Sequence, residues 1–353
     1  MLAIHLHRRH LAAVAHRTHL VPVQTPSIEE VRGAAGRIAG VAVRTPLTRL
    51  RLSDPGDVRS GVPDVYLKEE QRQPIGAFKI RGAWNAALAA DPDALRTGIW
   101  TASAGNMAQG AAYAARALGL DCTAVVPEHA PAAKTDAVER LGARVIRVSF
   151  EAWWKAMLTH AHPGMDGVMI HPFADVAVMA GNGTIGLELA EDQPDLDAVL
   201  VPWGGGGLAL GIAVALRAVS PRTRVYAVEV ETAAPLTASR AAGRPVTVAR
   251  TPTWIDGMGS DRVAEEMWPL VGDHIAGTVV VSVAQVADAL RLLHRTAGIT
   301  AEGAGAATVA AAIAGRVDGV EGHHLAGGRV ACIISGGNIN ADAVARILAG
   351  SNA

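Results

Sequence analysis

The feature that most constrains this chain is an alternation of short runs, apolar on successive residues, with Ala-rich stretches of helical character. The runs are Asp64 to Lys68, Gly98 to Thr101, Cys122 to Pro127, Arg144 to Val148, Val168 to His171, Ala198 to Pro202, Arg224 to Val230 and Arg329 to Ser335. A strand that is apolar on both faces must be covered on both faces, and strands separated by helices run parallel. The intervening stretches end in signals such as Leu118-Gly119-Leu120 and Leu141-Gly142-Ala143, where glycine takes the left-handed closing position. Repeated βαβ units follow, and the expected class is α/β. The four strands between about Gly98 and Pro172 are enough for a small open sheet of their own, with the flanking strands forming a larger one. The expected division is a leader at 1–25, a large domain from 26–97 plus 176–353, and a small domain at 98–175.

Composition narrows the function classes. The chain has 353 residues, half of them apolar, with 32 Lys plus Arg against 33 Asp plus Glu, a formal net charge of −1. A sizeable core can be buried, and disorder is excluded for most of the chain. Neither nucleic acid nor an anionic membrane is held without a surplus of cations, so the expected partner is a small neutral or zwitterionic molecule. No apolar run reaches the ~18 to 20 residues of a membrane span. Cys122 and Cys332 sit in apolar runs without metal or redox spacing, which fits a reducing cytoplasm. The first 25 residues carry five of the 13 His and several Arg, and read as a loosely packed leader or a subunit-contact arm rather than a secretory signal. Beyond them, Ser27 caps a helix running to about Ile38, with Glu29 and Glu30 in its first turn.

Four loops at strand ends carry chemistry-bearing residues. The first is Pro74-Ile75-Gly76-Ala77-Phe78-Lys79-Ile80-Arg81-Gly82-Ala83, where a strand hands over to a helix. A desolvated lysine there loses pKa and forms Schiff bases, although a lone lysine beside an arginine is more often the mark of a solvated helix face. The second is Trp203-Gly204-Gly205-Gly206-Gly207-Leu208, between an apolar strand and a helix. Bare backbone at a helix N-terminus suits a phosphate. Gly204, Gly206 and Ala209 also satisfy a GxGxxA pattern with Glu229 ending the next strand, so a dinucleotide reading stays open. The third, Ser103-Ala104-Gly105-Asn106-Met107, offers amides, a hydroxyl and a carboxamide to an anion; its plain alternative is an N-cap by Ser103. The fourth is Ser335-Gly336-Gly337-Asn338, with a hydroxyl at the carboxyl end of a buried strand.

Together these stretches resemble the fold-type II pyridoxal-phosphate enzymes, and within them the serine/threonine dehydratases (threonine ammonia-lyases). The resemblance covers about Pro26 to Leu348 and includes Ala180-Gly181-Asn182-Gly183-Thr184, five motifs in the family order. It implies two open, mainly parallel twisted sheets of the tryptophan synthase β type with the cofactor, pyridoxal 5'-phosphate, in the cleft between domains. Lys79 would carry the Schiff base, Phe78 would pack on the ring and Asn106 would bond its 3-hydroxyl. Gly204, Gly205, Gly206, Gly207 and Leu208 would hold the phosphate, and Ser335 would face the pyridine nitrogen. The implied reaction is dehydration and deamination of a β-hydroxy amino acid such as L-serine or L-threonine to a 2-oxo acid and ammonium. The implied catalytic residues are Lys79, which would take the α-proton, and Ser103; Ser103, Ala104, Asn106 and Met107 would line the substrate side, with Ser103 and Asn106 holding the carboxylate. A homo-oligomer, dimer or tetramer, is implied as well.

Departures from the family pattern bear on the substrate. Met107 stands where relatives often have His and cannot donate a hydrogen bond, which predicts a less polar pocket. Ala104 stands where racemases have a second serine, so racemisation should be poor. Pro235 stands where some relatives have a metal-binding Asp near Glu229, so no metal is expected there, though Glu229 is left open as a ligand elsewhere. Glu302 matches a family glutamate beside the cofactor, or is simply a carboxylate at a helix start. Adjacent Trp153 and Trp154 read mainly as core. The rivals are β-replacement, dehydration of a bulkier or acidic 3-hydroxy amino acid, and, from another class, an NAD-dependent oxidoreductase, which leaves Lys79 and Ser335 unexplained.

Overall fold

A computed structural model describes residues 23–51, 63–314 and 327–352. Most of the leader, residues 1–22, lies outside the described residues. The strands are β1 (Leu47–Arg49), β2 (Asp64–Lys68), β3 (Ile99–Thr101), β4 (Cys122–Pro127), β5 (Arg144–Val148), β6 (Val168–Met169), β7 (Ala198–Pro202), β8 (Arg224–Val230), β9 (Gly277–Val281) and β10 (Arg329–Ile333). The helices are α1 (Ile28–Ile38), α2 (Lys79–Ala89), α3 (Pro92–Leu95), α4 (Asn106–Leu118), α5 (Ala132–Arg140), α6 (Phe150–Thr159), α7 (Val176–Asp192), α8 (Gly207–Val219), α9 (Pro235–Ala242), α10 (Val283–Ala297), α11 (Gly303–Ala314) and α12 (Ala341–Leu348).

Two sheets form. One has the order β1-β2-β10-β7-β8-β9, parallel except for β1, and the other has the order β5-β4-β3-β6, all parallel. The small sheet draws its strands from 99–169 and the large sheet from both sides of that stretch. Every residue of β7 is buried, as its unbroken apolar run requires. Helices cover both faces, and one apolar cluster lies on each side of the large sheet, reaching α10 and α11 in one case and α7 and α8 in the other. The Ala180-Gly181-Asn182-Gly183-Thr184 segment lies inside α7, where a Cβ on Gly183 would sit 2.8 Å from the Gly211 carbonyl of α8. Its glycines therefore serve helix crossing. Ser27 and Glu30 cap α1 reciprocally, as the sequence suggests.

The structure corrects the strand list in five places. Strand β3 begins at Ile99 rather than Gly98, and β6 ends at Met169 rather than His171. The edge strand β1 and the strand β9 were not anticipated, and β10 ends at Ile333, so Ser335 stands two residues beyond it. Gly105, not Ser103, is the N-cap of α4; the Ser103 hydroxyl accepts from the Gly105 amide within the turn before it. Among the described residues no helix is long and apolar enough to cross a membrane.

Candidate active site

The carboxyl ends of β2, β10 and β7, neighbours in the large sheet, face the carboxyl end of β3 across a cavity of about 600 Å³. A parallel sheet offers its ligand site at these ends, where loops leave the strands and helices begin. Phe78, Lys79, Ser103, Ala104, Asn106, Met107, Gly204 to Leu208, Glu302 and Ser335 all line this cavity. The structure thus brings together every residue the sequence nominated for the site.

Lys79 opens α2, and its amine donates to the Pro172 carbonyl and lies 5.0 Å from the Phe78 ring centre. It is not a solvated helix-face lysine: burial pushes its pKa down to about 8, with the Glu302 carboxylate partly opposing. The helix behind it is anchored by Arg81, which is fully buried. The Arg81 guanidinium donates to Glu70 at 2.7 and 2.8 Å, to Glu188 at 2.6 and 3.0 Å, and to the Thr184 hydroxyl at 3.0 Å. Burial alone would raise the Glu70 pKa, but Arg81 outweighs it and holds the carboxyl below its ordinary range. Lys79 is thereby mounted on a rigid helix start.

Glu302, just before α11, has its two oxygens shared between two candidate residues. Ser335 donates to one at 3.0 Å and the Asn106 carboxamide to the other at 2.9 Å. Asn338 in turn donates to the Asn106 carbonyl oxygen at 2.8 Å and to the Ile75 carbonyl at 2.9 Å. One chain of polar contacts therefore spans four loops. Burial pushes the Glu302 pKa up, and the bonds from Asn106 and Ser335 hold it back.

The glycine loop precedes α8, with Gly206 at its N-cap and at φ +91°, where a side chain would be strained. A Cβ on Gly205 would lie 2.1 Å from the Phe173 ring, and one on Gly204 2.7 Å from the Gly257 carbonyl. Only bare backbone fits, and the first amides of α8, which have no partner within the helix, are left for an anion. A phosphate group fits such a cradle, and a basic, partly desolvated lysine across the cavity fits an aldehyde. The donor set therefore suits pyridoxal phosphate.

Glu229 weighs against the dinucleotide reading. It is buried and accepts from the Leu236 amide at 2.7 Å, the Thr237 amide at 2.8 Å and the Thr237 hydroxyl at 2.7 Å. Its carboxylate caps α9 and is committed neither to a ribose nor to a metal. Trp153 lines the cavity while Trp154 carries Arg262 over its ring at 5.7 Å, so neither is simply core. Sequence reasoning missed Pro172 and Phe173, and also Lys134, Arg250 and Asp256 at the rim. The first pair acts through a backbone carbonyl and a ring lying against Gly205, which no motif reports. The rim residues come from segments far apart in the chain.

A model of the family described as pyridoxal-phosphate dependent enzyme matches residues 38–336. The chain belongs to this family. It is 37% identical to the L-threonine ammonia-lyase of Thermotoga maritima over 91% of this chain and 78% of that protein. It is 34% identical to the serine racemase of Oryza sativa subsp. indica over 89% of this chain and 91% of the relative. Among solved structures it is similar to maize serine racemase, with a TM-score of 0.80, 30% identity, and coverage of 92% and 97% of the two chains. This pyridoxal-phosphate dependent enzyme is thus a fold-type II protein, with the large and small sheets described above.

Proposed function

We propose that this enzyme removes water from a β-hydroxy amino acid of the serine or threonine type, releasing a 2-oxo acid and ammonium. The observation that carries the reading is the Lys79 amine, which lines the same cavity as the Ser103 to Met107 loop and donates to the Pro172 carbonyl, with burial lowering its pKa. Pyridoxal phosphate, when bound, supplies a carbonyl carbon for an amine and a conjugated ring that accepts the electrons of the α-carbon. The residues that would hold it are Phe78 against the ring, Asn106 and Ser335 at its polar edges, and Gly204 to Leu208 with the start of α8 at its phosphate.

The protein's own part is positioning and proton movement. A lysine poised near neutral pH is suited to take the α-proton of a substrate and return it later. The Ser103 hydroxyl and the amides opening α4 offer a seat for the substrate carboxylate, favoured by the positive end of the helix. Ala104 brings no hydroxyl to this loop, which supports elimination over racemisation. Met107, buried at the base of α4, gives the substrate side chain an apolar neighbour.

Two measurements test this. The purified protein should absorb in the visible, lose that band with borohydride and become labelled at Lys79, while Lys79→Ala shows neither. Ammonium and 2-oxo acid should then appear in equal amounts from L-serine or L-threonine, with no thiol acceptor required. Absence of product from these and from bulkier or acidic 3-hydroxy amino acids would overturn the dehydratase reading. Product only when a thiol is supplied would favour β-replacement.

A further inference from the structure

His160, His171 and Glu266 gather beside the candidate active site, with one ligand-type atom from each within 4.8 Å of the others. The hydrogen bonds of His171 argue against a three-ligand metal cage. Its Nδ1 accepts from the Ala174 amide at 2.7 Å and the Phe173 amide at 3.3 Å, and an acceptor cannot carry the proton. The hydrogen therefore sits on Nε2, which faces the Met157 carbonyl at 3.2 Å. Both ring nitrogens are in use. What these bonds hold is the turn from His171 to Ala174, between β6 and α7.

That turn touches the site twice. The Pro172 carbonyl accepts from the Lys79 amine, and the Phe173 ring packs on Gly205 of the glycine loop. His171 meets the Phe173 ring edge-on at 4.7 Å and stacks on His160 at 4.4 Å; His160 Nε2 lies 3.8 Å from Glu266. His171 is 1% exposed, so its ring has little room to shift. We propose that His171 is the positioning residue for Lys79, its Nδ1 clasping the Phe173 and Ala174 amides so that the Pro172 carbonyl is held against the lysine amine. The proposal rests on the reading of Lys79 as the reacting amine. It assigns His171 no contact with substrate.

Because burial is the main cause of the depressed Lys79 pKa, loosening the turn would admit water and let that pKa climb towards an ordinary lysine's. His171→Asn places an amide oxygen near the Nδ1 position and keeps the clasp. His171→Gln reaches the Met157 carbonyl and loses the clasp. The pH dependence of acylation of Lys79, followed by mass spectrometry on cofactor-free protein, should stay near that of wild type for His171→Asn. It should move up by about one unit or more for His171→Gln, a tenfold smaller free-amine fraction at neutral pH. In the holoenzyme, kcat should fall about tenfold or more for His171→Gln with KM within about twofold, and His171→Asn should recover most of it.

Equal behaviour of the two variants, whether both like wild type or both equally impaired, would overturn the proposal. A wild-type measurement stands beside them in case either variant fails to fold. Nitrogen chemical shifts of His171 in selectively labelled holoenzyme should report an unprotonated Nδ1 and a protonated Nε2, and the opposite tautomer would refute the clasp. The Lys79 acylation profile needs no turnover. It therefore separates failure of this proposal from failure of the dehydratase reading.

Discussion

Arg81 shows how one residue serves the site without facing it. Its charge is matched by Glu70 and Glu188 in a setting where an unpaired carboxylate is costly, and the planar guanidinium satisfies both acids at once. Arg81→Leu leaves Glu70 buried without its ion-pair partner, held only by Thr45, Gln73 and the charge of Lys68, and chemical denaturation should show a loss of about 3–5 kcal/mol. Arg81→Lys should recover only part of it, because an ammonium cannot bond both carboxylates in this geometry. The pair also sets a pH dependence. The Glu70 pKa is depressed on folding, so its contribution is fully present above the ordinary value of 4.5 and is lost as pH falls through the lower folded-state value. In wild type, stability should therefore fall on acidification below about pH 4.5, and in Arg81→Leu that limb should flatten. Little of this was legible beforehand: Lys79 announced itself by standing between Gly-Ala-Phe and a helix, whereas Arg81 looked like its solvated neighbour. Nothing in the residues near Arg81 in sequence names Glu188, 107 positions away.

Elements with complete signals were read to the residue, and elements without them were missed. The runs for β2, β4, β7 and β8 are buried along most of their length, and β5, with Arg144 and Arg147 exposed, shows its bounds through the β-branched residues beside them. The strand β1 is three residues of an antiparallel edge, partly exposed, too short to show a period. For β9 the signal existed: Thr278 to Val281 are β-branched and the Ser282/Gln285 capping box follows. The glycine loop was legible because four glycines between a strand and a helix break every regular pattern. Its partner, the Phe173 ring, was not, since a ring lying over backbone leaves no trace in spacing. Their fit yields a prediction for the loop as a unit. Gly205→Ala must push the Phe173 ring aside, and cofactor retained after dialysis, measured by absorbance, should fall at least about tenfold while circular dichroism stays that of a folded protein.

On the scale of the whole molecule, the cavity lies where the two sheets meet, and three contacts cross from the small-sheet side to one segment of the large-sheet side. Lys134 meets Asp256 at 2.8 Å, Trp154 meets Arg262 at 5.7 Å, and His160 meets Glu266 at 3.8 Å. The Lys134 and Asp256 side chains are both more than a third exposed, and such pairs add at most about 1 kcal/mol. Lys134→Ala should therefore leave the melting temperature within about 2–4 °C of wild type. Because both residues stand at the cavity rim, the same change should alter KM and its salt dependence, which steady-state kinetics at two ionic strengths would show. A melting temperature that fell further with KM unmoved would make the pair structural. The segment that makes all three contacts, from 244 to 267, contains no helix or strand and only an isolated bridge between Thr247 and Arg262. Sheet hydrogen bonding does not fix its length or sequence, so descendants of this enzyme can lengthen, shorten or recharge the cavity rim by mutation without disturbing the large sheet, whose strand-end loops lead to Lys79 and Ser335. Substrate range is thereby free to drift faster than the chemistry.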